Sequence, residues 1–399
     1  MVLGGDTGRV PSDVTLDNWQ SASHLHWTFQ HVADFLPTAV ISRGAGPVAE
    51  LPPAPDELPR ISEIPLYDNT NGRQTTVGDV MAATATDGWI VTHHGRLLTE
   101  QYYGGMTADT QHLLMSVSKS LVGMVAGALV ASGALDVEAE LTHYVPALAA
   151  SGYAGATVRH LLDMRSGIAF SEDYLNPMAE VRLLEQAIGW APRTVPGLPT
   201  TMYDYLLTLR QGSPHGGPFA YRSCETDVLG WVCEVAGGLR MPELMSVLLW
   251  SKLGADNDAT IAVDGVGTGM FDGGINACLR DLARFGALYL NEGTSLTGEQ
   301  VVPPAWIADT LEGGIDSRDA FAASPDDNRM PGGMYRNQCW FPYPGNNVLL
   351  CLGIHGQMIY VNRAAGLVAA KLSSWPLPQD ATKVFPTIAA FDEIAAQLS

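Results

Sequence analysis

The sequence predicts an α/β fold: an antiparallel sheet flanked by helices, interrupted by a mostly helical domain. Three observations carry this. Residues 88–103 alternate apolar and polar side chains about His94-Gly95-Arg96, the pattern of a β-hairpin. Residues 347–355, 357–361 and 367–372 read as three consecutive antiparallel strands. Between them, 158–164, 180–187, 201–210, 226–236 and 242–253 each place apolar residues at i, i+3 and i+4, the spacing of a helix with one buried face. The expected division is an irregular N-terminal arm over 1–75, a sheet domain over 76–156 and 276–399, and a helical domain over 157–275. The cleft between the two domains is the expected site.

In chain order, the arm is rich in Pro and Gly, with Pro52-Pro53-Ala54-Pro55, and is expected to lie over the surface. The hairpin follows. The longest apolar run, 121–135, is interrupted by Gly123, Gly127, Ser132 and Gly133 and is too short for the roughly 30 Å core of a bilayer, so it reads as a central buried helix. A last helix is expected to start near Pro386.

With 46% hydrophobic residues among 399, the chain can bury a sizeable core. Its formal charge of -20 argues against nucleic acid or an anionic membrane as a partner. The start, Met1-Val2-Leu3-Gly4-Gly5-Asp6-Thr7-Gly8, has no basic segment followed by an apolar core, so a cytoplasmic location is expected. Cys224, Cys233, Cys278, Cys339 and Cys351 are scattered, with no C-x-x-C pair, and are expected to be reduced and structural. The histidines form no H-E-x-x-H or similar cluster, and the rings of His93 and His94 cannot face one metal from a strand-to-turn segment. Neither metal nor cofactor is expected.

Chemistry enters at Leu113-Leu114-Met115-Ser116-Val117-Ser118-Lys119-Ser120. Residues at i and i+3 of a helix hold their Cβ atoms about 5–6 Å apart, so the Lys119 amine can fold onto Ser116 Oγ as its base. A base must be neutral. Desolvation by Val117, Leu121 and Val122 is expected to lower the Lys119 pKa from about 10.4. The helix start leaves N–H groups unpaired, so the Ser116 amide can serve as one oxyanion donor.

Tyr221 lies in Phe219-Ala220-Tyr221-Arg222-Ser223, after a Gly-Pro-rich loop and before a helix. Beside a serine and a lysine, a phenol can relay a proton to a leaving group. Gly353-Ile354-His355-Gly356-Gln357 interrupts a buried strand with two glycines, marking a bulge or a close approach to the backbone. The amide of Ile354, or alternatively of Gln357, is the second oxyanion candidate. His355 on its own reads more readily as a satisfied strand histidine.

Ser116-Val117-Ser118-Lys119, Tyr221-Arg222-Ser223 and His160-Leu161-Leu162-Asp163-Met164-Arg165-Ser166-Gly167 resemble the pattern of the penicillin-recognising serine hydrolases, which run from D-Ala-D-Ala peptidases through class C β-lactamases to esterases. Within that group the chain looks most like the 6-aminohexanoate-dimer hydrolases, the nylon-oligomer-degrading amidases. Further echoes are Glu172-Asp173-Tyr174, Gly353-Ile354-His355-Gly356-Gln357 and Lys371-Leu372-Ser373-Ser374-Trp375-Pro376. The likeness runs from about Leu16 to the C-terminus. It implies a class C β-lactamase-like (DD-peptidase) fold, with Ser116 as nucleophile, Lys119 as base, Tyr221 as relay, and the amides of Ser116 and Ile354 as oxyanion hole. It also implies that Tyr174 bonds the leaving amine and that Trp190 belongs to a loop closing over substrate. Glu185, Asp272, Trp340 and His355 complete the expected substrate-binding set.

Departures from the family pattern bear on substrate. Where β-lactamases carry Tyr-x-Asn this chain has Ser223, and where they carry Lys-Thr-Gly it has Cys351-Leu352-Gly353, so the lysine that anchors a substrate carboxylate is missing. Glu185 stands where the nylon-oligomer hydrolases have aspartate, Asp272 where they have asparagine, and Cys339 replaces the first of a tryptophan pair before Trp340. Glu185 and Asp272 are expected to anchor an ammonium group at the end of the acyl pocket. The resulting expectation is a serine amidohydrolase for linear amides such as aminohexanoate oligomers. A carboxylesterase for short acyl esters is the alternative, and a β-lactamase or D-Ala-D-Ala peptidase ranks third. The expected partners are that small-molecule amide or ester and, at most, a second copy of the chain in a homodimer.

Overall fold

The computed structural model describes residues 10–69 and 72–398. Among the described residues the main layer is a seven-stranded antiparallel sheet. Its strands are β1 (Thr86–His93), β2 (Arg96–Tyr102), β3 (Met334–Arg336), β4 (Cys339–Phe341), β5 (Val348–Gly353), β6 (Gln357–Asn362) and β7 (Leu367–Ser373), in the spatial order β2-β1-β7-β6-β5-β4-β3. The hairpin and the meander thus join in one sheet through β1 and β7, where Lys371 stands opposite Trp89. Hydrophobic cores cover both faces, which is why β1 is buried at seven of its eight positions.

One core holds helix α1 (Val117–Ala131), buried from Val117 to Leu129, together with α3 (Ser223–Gly237) and α4 (Leu279–Leu290). The small residues of α1 are what admit its neighbours: a Cβ on Gly123 would meet the Asn337 carbonyl at 2.7 Å, and one on Gly127 the Trp306 ring at 2.4 Å. The other face of the sheet packs on α5 (Ala381–Leu398). α5 begins five residues before Pro386, because Asp380 caps it through the Thr382 amide at 2.9 Å; Pro386 lies inside the helix, where it has no N–H to give the Thr382 carbonyl.

The segment expected to be an irregular arm is more ordered than its Pro and Gly content suggests, and its residues 1–9 and 70–71 lie outside the described residues. Leu25–Thr28 and Val32–Phe35 are short helices, Pro65–Asp68 pairs with Arg73–Thr76, and Thr38–Ile41 joins Ala259–Ala262, Ile275–Ala277 and His112–Leu113 in a second sheet. Strands of two to four residues show too little alternation to be read from sequence. Trp19 and Phe29 anchor this segment in the main core. Helix α2 (Glu180–Ile188) forms as its periodicity requires and stops at Gly189, which adopts φ 87°.

Candidate active site

Ser116 is the residue immediately before α1, reached from His112–Leu113 through Met115, whose φ of 46° lies in the left-handed region that a branched or bulky residue avoids. This tight turn sets Ser116 on the wall of a cavity of about 350 Å³. Tyr174, Tyr221, Trp340, Leu352, Gly353, Ile354 and Trp375 share that wall, and the N-terminal end of α5 closes it with Val384 and Phe385.

The Lys119 ammonium donates to Ser116 Oγ at 2.8 Å, Ser223 Oγ at 3.1 Å and the Asp272 carbonyl at 2.8 Å, so its three protons are all engaged. Asp272 Oδ2 lies 3.6 Å away. Burial alone would lower the Lys119 pKa, but Tyr221, Asp272, Glu172 and Asp227 together outweigh it and hold the group above its ordinary value. The sequence expectation was the reverse. It counted apolar neighbours along α1 and could not count carboxylates brought in by other segments.

Those carboxylates are themselves arranged. Asp227 accepts from the Asp272 amide at 3.1 Å, and both side chains are buried with one oxygen each, Asp227 Oδ2 and Asp272 Oδ1, lacking a hydrogen-bond partner. Burial and the adjacent Asp272 push Asp227 well above the carboxylate range. Glu172 accepts from the Tyr174 hydroxyl and from the Ser223 amide, and burial raises its pKa against the pull of Lys119. Sequence reading passed over Glu172 and Asp227. Glu172 lay inside a quoted string, and Asp227 follows Ser223 by one helical turn.

Tyr221 stacks on Trp340 with ring centroids 5.3 Å apart, and its ring lies 5.2 Å from Lys119 Nζ. Its hydroxyl is within hydrogen-bonding reach of Ser116 and Lys119; burial raises its pKa and Lys119 opposes that rise. The cavity wall also holds both candidate oxyanion residues. Among the described residues, neither the Ser116 nor the Ile354 amide is spent on a loop or turn carbonyl. Gly353 allows their approach, since a Cβ there would stand 3.1 Å from the Ser116 nitrogen and 2.6 Å from the Leu114 carbonyl. The Gln357 side chain instead clamps the strand end, donating to the Ser373 carbonyl at 2.7 Å and accepting from the Ser373 amide at 3.0 Å.

Four expected substrate-binding residues do not line the cavity. Glu185 is buried on α2 and taken up by Arg182 at 2.7 Å. Asp272 faces Lys119 and Asp227 rather than the cavity. Trp190 packs edge-on against Trp19 in the core, and its carbonyl accepts from the Trp19 ring N–H at 2.8 Å. His355 is buried; its Nδ1 meets the Trp375 carbonyl at 2.6 Å, and burial lowers its pKa to about 4. It pins the Ile354 turn to the strand end beyond β7, with the φ of 60° that such a turn requires.

The Beta-lactamase family model matches residues 73–393. A 6-aminohexanoate-dimer hydrolase from Paenarthrobacter ureafaciens is 39% identical over 376 residues, covering 93% of this chain and 91% of that protein. A solved structure from Bacillus anthracis, described as a candidate 6-aminohexanoate-dimer hydrolase, superposes with a TM-score of 0.87 at 25% identity, over 98% of this chain and 99% of its own. A family VIII carboxylesterase shares the fold at TM-score 0.58 and 16% identity, over 79% of this chain and 96% of its own. No helix among the described residues is long and apolar enough to cross a membrane. With a family model matching most of its length and a relative this similar over nearly all of it, the chain belongs to the Beta-lactamase family and is a hydrolase of that fold.

Proposed function

We propose that this hydrolase cleaves linear amide bonds through an acyl-enzyme on Ser116. The observation that carries the reading is the 2.8 Å contact of Lys119 Nζ with Ser116 Oγ at the wall of a cavity shared with Tyr221 and Tyr174. At rest the Lys119–Tyr221 pair is fully protonated, as ammonium and phenol. Once it has lost one proton it can accept the Ser116 proton as the serine attacks the substrate carbonyl. The oxyanion that forms faces the amides of Ser116 and Ile354. Tyr221 then returns the proton to the departing nitrogen, which Tyr174 holds, and water repeats the sequence on the ester. The substrate class follows from the 6-aminohexanoate-dimer hydrolase relative: linear amides of the aminohexanoate oligomer kind.

A second reading, a carboxylesterase for short acyl esters, is favoured by one contact. The Tyr174 hydroxyl donates to Glu172 and so can hold a leaving amine only by accepting from its N–H, whereas an ester leaving group makes no such demand. Mass spectrometry of enzyme quenched in denaturant during turnover of an activated ester tests the shared step. The expected adduct is on Ser116 and is absent from Ser116→Ala; an adduct on another residue would overturn the reading.

A further inference from the structure

Cys339 and Cys351 lie on the neighbouring strands β4 and β5, one residue to either side of the Trp340–Leu350 pair, so the antiparallel register sets them opposite each other. Both are buried in the core that also holds α1. Directly opposed residues have Cα atoms about 4.5–5.5 Å apart, inside the window of about 4.4–6.8 Å that a disulfide occupies. The Tyr289 hydroxyl is 3.2 Å from Cys339 Sγ, and the two thiols and Ser120 complete a hydrogen-bonded cluster. Burial raises both thiols, but contacts from Cys351, Tyr289 and Ser120 bring Cys339 below its ordinary value while Cys351 stays well above. A thiol held below its ordinary value thus lies beside one held above it. The other cysteines have no such arrangement: Cys224 and Cys233 are nine positions apart on α3, about 13 Å along the axis, and Cys278 precedes α4.

We propose that Cys339 and Cys351 are a redox pair that closes to a cross-strand disulfide on contact with hydrogen peroxide, reopens with a dithiol, and thereby throttles the site. The Cys339 thiolate attacks the peroxide oxygen, giving a sulfenic acid and releasing one water once the departing hydroxide takes up a proton. Cys351 then attacks that sulfur, and its own proton leaves with the sulfenic hydroxide as a second water. Two electrons pass from the thiols to the peroxide. The consequence for activity follows from sequence adjacency. Cys339 precedes Trp340, which stacks on Tyr221, and Cys351 stands two residues before Gly353 at the oxyanion turn. Drawing the sulfurs into a bond shifts both strands, and a displacement well under 1 Å is enough to cost about tenfold in rate where reacting groups must align.

The test treats folded enzyme with hydrogen peroxide, alkylates in denaturant, counts thiols and maps peptides. The expected result is a fall from the five free thiols to three, a Cys339–Cys351 crosslinked peptide, and a roughly tenfold loss of turnover that dithiothreitol restores. Dithiothreitol does not reduce methionine sulfoxide, so reversibility separates this event from methionine damage. Cys339→Ala should keep its four thiols, Cys351→Ala should stop at an oxidised Cys339 with three thiols, and neither should give the crosslinked peptide. Five thiols persisting, a crosslink between any other pair, a sulfinic acid without a crosslink, or a crosslink that leaves turnover unchanged would overturn the proposal.

Discussion

Lys119 and Lys371 are both wholly buried, and burial leaves them in opposite states. Lys119 is surrounded by Tyr221, Asp272, Glu172 and Asp227, which together outweigh its burial and hold it above its ordinary pKa. Lys371, on β7 in the sheet, donates to the Thr84 carbonyl at 3.2 Å and to Ser373, and lies 5.3 Å from the Trp375 ring centroid. Burial pushes it down to about 7, with Asp87 the one charge opposing. Desolvation therefore decides a buried lysine's charge only where no carboxylate is close. The apolar surroundings that make a neutral amine belong to Lys371, which does not line the cavity; the lysine in contact with Ser116 has to give up a proton against three carboxyl groups.

The comparison breaks most directly on activity. Lys119→Met should lower kcat/KM by at least about 10³-fold, comparable to Ser116→Ala, while Lys371→Met stays within about tenfold. Steady-state kinetics on one amide and one nitrophenyl ester decide it. Equal losses in the two lysine variants would mean that contact with Ser116 is not what distinguishes them.

Next in size is the effect on leaving groups. Tyr221→Phe and Tyr174→Phe should each cost amide hydrolysis about 10²-fold and nitrophenyl ester hydrolysis far less, since a phenolate departs without a proton. Equal losses on both substrates would remove these phenols from the leaving-group step.

Asp272→Asn sharpens the comparison by making Lys119 more like Lys371. Removing the carboxylate 3.6 Å away should lower the pH at which kcat/KM rises by about 1–3 units, because less alkali is then needed to take a proton from the Lys119–Tyr221 pair. A pH–rate profile reads this directly. An unchanged acidic limb would show that the pair's proton does not limit the rate.

The last effect is on stability. A lysine whose folded pKa is about 7 binds fewer protons folded than unfolded between about pH 7 and 10.4, so its contribution to stability is present at high pH and is lost as pH falls toward 7. Lys371→Met should remove that dependence, worth at most about 1.4 kcal/mol per pH unit. Urea unfolding at pH 7 and pH 10 compares the two proteins. An identical pH slope in both would mean that Lys371 is charged in the fold.

The local features were legible in the sequence because short-range geometry sets them. Ser116 and Lys119 meet because i and i+3 share a face of α1, and the hairpin and meander follow from alternation and turn residues. Even the Arg182–Glu185 pair that removes Glu185 from the cavity is an i, i+3 contact and could have been read in advance. The strands of the second sheet were not legible, being too short to carry a period. The surroundings of Lys119 were not legible either. Ser223 and Asp272 reach it from 104 and 153 residues away, and Glu172 joins them through Ser223. Spacing along the chain thus determined which serine and lysine touch. Only the tertiary structure decided the charge that lysine carries, because electrostatic energy sums over everything within a few ångströms, whatever its place in the sequence.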